Sequence, residues 1–135
     1  MGPNDASSRG QHVPITEYGE NLMKVMHHCH ENMDLPYDRQ IVISMPAFDS
    51  SRIKDGSRHN VNAVKYVAES RNVAATLGAR FLPLYDIMRM HGEDIEGLVG
   101  WKSYLKDGLH LSDSGNKLLA DELWEKHILC LLCEA

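Results

Sequence analysis

The sequence predicts an α/β domain in which helices flank a parallel sheet, and three observations carry that prediction. Helix-like and strand-like segments alternate strictly along the chain, the pattern of right-handed crossovers between parallel strands. A short β-branched run, Ile41-Val42-Ile43, is continuous rather than alternating, as suits a strand buried on both faces. At 135 residues the chain is one domain's worth of protein, able to bury roughly two thirds of the surface its unfolded form exposes.

The elements follow in order. After a polar lead-in, Thr16 reads as a helix cap, and Leu22, Met23, Val25, Met26 and Cys29 recur at helical spacing, giving a first helix over about residues 16–32. Residues 40–45 form the first strand, stopped by Pro46. Val61, Val64, Val67, Ala68 and Ala75 follow helical spacing over residues 60–77, with Gly78 as the stop. Residues 79–84 are the second apolar run, 85–91 a short helix, and 92–100 a glycine-punctuated loop. Ser112 caps a last helix with Asp113 in its first turn, and Leu119, Leu123, Trp124, Ile128 and Leu131 line its inner side. Only two strands are visible, where sheets have about five. The sequence therefore predicts a single domain over residues 1–135 that is N-terminally incomplete. Its missing strands are expected upstream of Met1, and its sheet edge is exposed to a protein partner.

Composition narrows the function. Hydrophobic residues make up 43% and charged residues 24%, the balance of an ordinary globular chain. A net charge of -5 with no basic stripe argues against nucleic acid as a partner. No apolar run approaches the ~20 residues a membrane span needs. Residues 1–10 lack both the basic start and the apolar stretch of a secretory signal, so the cytoplasm is the default location. Three cysteines, Cys29, Cys130 and Cys133, cannot all pair within the chain and read as buried free thiols.

Two segments carry chemistry. In Asp107-Gly108-Leu109-His110, a carboxylate three residues before an imidazole can reach its Nδ1. Such a carboxylate fixes the tautomer and stabilises the imidazolium formed when Nε2 takes a proton from a nucleophile. In Gly2-Pro3-Asn4-Asp5, glycine permits close backbone approach and the Asn side chain can aim its NH2 at a developing oxyanion. Trp101 and Tyr104, just before the Asp-His turn, could shape an acyl or alcohol pocket or simply cover the core. Phe48-Asp49-Ser50-Ser51 holds a candidate nucleophile, Ser50, though a polar loop is the simpler reading. His27 and Glu31, four apart on a helix, could face a metal, but two ligands do not make a site.

GPNDAS, HVPITEY and the stretch GWKSYLKDGLHLSDSGN together resemble the SGNH, or GDSL, hydrolase family, most closely its isoamyl acetate-hydrolysing esterase branch, over nearly the whole chain. The resemblance implies a three-layer α/β/α, flavodoxin-like fold and hydrolysis of small carboxylic esters through an acyl-enzyme, with no metal or organic cofactor. It implies Asn4 as an oxyanion donor, Asp107 as the orienting acid and His110 as the general base. The family's Gly-Asp-Ser block, which holds the nucleophile, and its second oxyanion Gly have no counterpart in this sequence and are expected upstream of Met1. The competing expectation is a truncated or spliced, non-catalytic chain that folds poorly or binds a partner at its sheet edge.

Overall fold

Proline lacks an N–H and holds φ near −65°, so it sits easily just ahead of a helix. Pro14 (φ −53°) does so here, and helix α1 runs Ile15–Met33. Thr16, expected as the cap, lies inside the first turn instead, because the Pro14 carbonyl already accepts from the Tyr18 N–H at 2.8 Å. The helix stops at Asp34, which takes the left-handed conformation (φ 51°). The computed structural model describes residues 2–8, 10–54, 56–93, 95 and 98–129.

Strand β1 is Ile41–Ile43, shorter than the expected 40–45, and pairs in parallel with β2, Arg80–Leu82, itself shorter than the expected 79–84. Ile41 lies opposite Arg80 and Ile43 opposite Leu82. Hydrogen bonding reaches one residue further at each end, from Arg80 N–H to the Gln40 carbonyl and from Ser44 N–H to the Leu82 carbonyl, both 3.0 Å. Among the described residues β1 has no other strand neighbour, so its far edge is open.

Helix α2 is Asn60–Leu77, the span the sequence predicts, but it turns a different face inward. Val61 is 77% exposed, and Val64, Ala68 and Ala75 also face out, while Ala63, Tyr66, Val67, Ser70, Val73 and Ala74 are buried. Tyr66, Ser70 and the small residues Ala63 and Ala74 form the contact stripe with Val67 and Val73, and Val61 and Val64 are left outside it. Tyr66 meets Tyr18 of α1 edge-on, with centroids 5.2 Å apart. Ser70 is tolerated inside because its hydroxyl pairs with the Tyr18 hydroxyl and donates to the Tyr66 carbonyl, each at 2.8 Å. Burial raises the Tyr18 phenol above its ordinary range.

Helix α3, Leu84–Met90, follows Pro83, and a short 3-10 turn, Trp101–Tyr104, follows the loop after it. Helix α4 is Asp113–Leu123, capped by the Ser112 hydroxyl, which accepts from the Gly115 N–H at 3.2 Å. It continues as one π-helical turn, Trp124–Ile128. That wider turn shifts the helix phase. Leu119 and Leu123 pack against the core and Ile128 is half-buried, but Trp124, expected on the inner side, is 51% exposed. Leu131, Cys130 and Cys133 lie outside the described residues. Val25, expected on the apolar face of α1, is exposed, and Cys29, expected to be buried, is half-buried and free.

The core centres on Met45, Phe48, Tyr66, Leu82, Met88 and Trp101. A smaller cluster, Met26, Val42, Val73 and Ala74, joins α1 and α2 to β1. The architecture is an α/β fold with a parallel sheet, as expected. Among the described residues no helix is long and apolar enough to cross a membrane.

Candidate active site

The chain leaving the carboxyl end of β1 is the seat on which both chemically suggestive turns rest. Gly2, at φ 151°, lies so close to this segment that a Cβ placed on it would fall 3.3 Å from the Met45 Cβ. Gly108, at φ 92°, lies closer still: a Cβ there would fall 2.9 Å from both the Asp49 carbonyl oxygen and the Arg52 Cβ. The Asp49 N–H donates to the Gly108 carbonyl at 2.9 Å. Only glycine meets both the backbone angle and the close approach at Gly108. Between the two contacts, the Asn60 side chain holds the Phe48 backbone at both ends, accepting from its N–H at 2.9 Å and donating to its carbonyl at 2.7 Å.

The Asp107–His110 turn is closed by an antiparallel bridge between Leu105 and Leu111 and by the Lys106 N–H donating to the His110 carbonyl at 2.8 Å. Arg52 clamps it from outside, donating to the Lys106 carbonyl at 2.7 Å. One Asp107 oxygen, Oδ1, accepts from the backbone N–H groups of Leu109 (3.0 Å) and His110 (2.8 Å). The other, Oδ2, lies 2.7 Å from His110 Nδ1. The His110 N–H, then the His110 ring, then the Leu109 N–H hold the Asp107 carboxyl well below the usual carboxylate range. An ionised carboxylate only accepts, so Nδ1 carries the hydrogen and neutral His110 keeps its lone pair on Nε2. That nitrogen makes no hydrogen bond among the described residues, and the ring is exposed.

Asn4 sits exposed in a turn closed by the Ser7 N–H donating to the Asn4 carbonyl at 3.1 Å. Its side-chain Oδ1 accepts from Arg58 Nη2 at 2.9 Å. The backbone N–H of Gly2 donates to the Asp5 carboxylate.

Ser50 is exposed in the loop that touches the Gly108 turn, and the hydroxyl of its neighbour Ser51 is committed to Asp49 Oδ1 at 2.6 Å. Trp101 is 2% exposed within the main core. Its indole N–H donates to Glu93 Oε1 at 3.0 Å and its ring carries the Arg89 guanidinium 4.8 Å from the centroid. Tyr104 is half-buried, its hydroxyl 3.2 Å from His91 Nδ1. His27 pairs with the Tyr37 hydroxyl through Nδ1. Among the described residues no group of three His, Cys, Asp or Glu could hold a metal ion, so His27 and Glu31 are not joined by a third ligand. Arg52, Arg58 and Asn60 escape sequence reasoning, because their partners lie 12 to 55 positions away and no local spacing announces them.

No family model matches the chain. It is 33% identical over 136 residues to the isoamyl acetate-hydrolyzing esterase 1 homolog of Rattus norvegicus, covering 92% of this chain and 52% of that protein. The Bos taurus protein of the same description matches with the same identity and coverage. A GDSL esterase/lipase of Arabidopsis thaliana is 29% identical over 145 residues, covering 91% of this chain and 55% of the relative. The crystal structure of a lipase/acylhydrolase from Enterococcus faecalis superposes with a TM-score of 0.72 at 27% identity, over 90% of this chain and 55% of that one. The chain spans about half the length of the curated relatives it matches.

In sequence and in fold the chain is similar to GDSL esterase/lipases and to a lipase/acylhydrolase. Isoamyl acetate-hydrolysing esterase homologues are among its relatives.

Proposed function

We propose that the chain supplies the acid–base pair and one oxyanion donor of an ester hydrolase for small carboxylic esters such as acetates. The observation that carries this is the 2.7 Å contact between Asp107 Oδ2 and His110 Nδ1, which leaves Nε2 with a lone pair and no partner among the described residues. In this reading Nε2 takes the proton from an attacking hydroxyl and later returns one to the departing alcohol. Asp107 holds the ring in the required tautomer and stabilises the imidazolium. The Asn4 NH2 stabilises the oxyanion of the tetrahedral intermediate. Water then attacks the acyl-enzyme, with His110 again as base, and releases the acid.

The nucleophile of this scheme belongs to a Gly-Asp-Ser block without a counterpart in the sequence, so the 135-residue chain alone is expected to show little or no turnover. Loss of a triad serine elsewhere costs about a million-fold in kcat. The test is saturable hydrolysis of p-nitrophenyl acetate by the purified chain, beside His110→Ala and Ser50→Ala variants. Turnover abolished by both substitutions would make Ser50 the nucleophile and overturn the dependence on a further serine. Turnover abolished by His110→Ala alone would require another nucleophile within the chain.

A second reading, that the chain is a non-catalytic binding module, is favoured by the open edge of β1. There an apolar groove of about 540 Å³ runs between that strand and α1, lined by Tyr18, Leu22, Val25, Met26 and Ile43 among others. A row of unpaired backbone groups beside an apolar wall suits an added extended strand.

A further inference from the structure

Arg58, in the loop ahead of α2, reaches back across the chain to the Gly2–Asp5 turn. Its Nη2 donates to Asn4 Oδ1 at 2.9 Å and its Nε to the Pro3 carbonyl at 3.3 Å. The guanidinium is itself held, with Nη1 donating to the Ser57 hydroxyl at 3.1 Å and Nη2 to Gln11 Oε1 at 3.4 Å.

A guanidinium has donors and no acceptor, so the Asn4 atom that faces it must be the oxygen. The side-chain amide is planar, and fixing Oδ1 therefore fixes Nδ2 on the opposite side. That NH2 makes no hydrogen bond among the described residues and lies in an exposed turn. One planar fork thus grips the backbone of Pro3 and the side chain of Asn4 together, which a lysine's single ammonium cannot reproduce at both points.

We infer that Arg58 is a positioning residue for Asn4, setting the orientation of its amide so that both N–H bonds face outward as preorganised donors to an oxyanion. The inference rests on the proposed role of Asn4. Preorganisation is what gives such donors their value, because no reorientation is needed as charge develops.

The test reads the Asn4 side-chain amide directly, by 15N NMR of the full chain with Arg58→Met and Arg58→Lys variants. The Ser8 backbone amide, which donates to the Ser57 carbonyl at 2.8 Å, reports whether the two loops remain docked. The expected result is an Asn4 NH2 signal displaced from its free-peptide position in the native chain. It moves to that position in Arg58→Met and most of the way in Arg58→Lys, while Ser8 stays unchanged. An unmoved Asn4 signal in Arg58→Met overturns the inference. So does movement of Asn4 only in step with Ser8 in both variants, since Arg58 would then be a general tether of the loop. Ester turnover is not part of this readout, so failure of the esterase reading would show in the hydrolysis assay and leave the NMR result standing.

Discussion

Three donors converge on the Asp107 carboxylate, two backbone N–H groups and the His110 ring, and each favours the ionised form. The consequence is a turn whose order depends on a charge that is hard to remove. The folded carboxyl titrates below its ordinary value of 3.8, so its contribution to stability is fully present above that value and is lost only as pH falls through the lower, folded midpoint. A 13C titration of the Asp107 carboxyl should give a midpoint clearly below 3.8, with the Leu109 and His110 amide shifts holding their native positions until that lower midpoint is reached. A midpoint at or above 3.8 would show that the carboxylate is not gripped, and His110 would then lose its fixed tautomer as well. The Asp-x-x-His spacing made the side-chain contact legible in the sequence. The two backbone donors were not, because they depend on how the turn folds around Gly108.

The start of α4 shows how an element is fixed by a contact its own sequence does not reveal. Ser112 was readable as a cap from its place ahead of the helix, and replacing it with Ala should cost about 1 kcal/mol. Gly115 was not readable: in a solvent-facing helix Gly→Ala gains about 1 kcal/mol. Here a Cβ would fall 2.2 Å from the Tyr104 carbonyl oxygen, which already accepts the Ser112 N–H at 2.9 Å. Gly115→Ala should therefore destabilise by about 1–3 kcal/mol through forced displacement of that backbone. Urea unfolding of the two variants checks both numbers, and stabilisation by Gly115→Ala would sink the steric argument. The same division runs through the other elements. The span of α2 was set by local signals, the run after His59 and the stop at Gly78. Its buried face was not, because Val61 and Val64 lost to a stripe around Tyr66 and Ser70, whose hydroxyls find distant partners in the Val13 carbonyl and the Tyr18 hydroxyl. Trp124, expected inward on an ideal 3.6-residue count, is half exposed at the point where the helix widens into a π turn.

At the scale of the molecule, the sheet of the described residues has two strands, and the outer edge of β1 is left to be accounted for. The Gln40 carbonyl and the Ser44 N–H bond to β2, so the alternation of a parallel ladder points the N–H and C=O of Ile41 and Ile43 away from it. Ile43 is 39% exposed at the mouth of the α1–β1 groove, and β1 itself holds neither proline nor lysine to discourage pairing. In a solution of the purified chain the occupant at hand is a second copy, laying its own β1 edge alongside. The native chain should accordingly show a sedimentation mass that rises with concentration. Ile43→Lys, which places a charge on the edge while removing a side chain already in partial contact with water, should stay monomeric with its fold intact by circular dichroism. A native chain that is monomeric across the same range would mean that the open edge is protected in some other way. Association undiminished by Ile43→Lys would move the interface elsewhere, and the groove between α1 and β1 would lose its claim as the surface that takes an added strand.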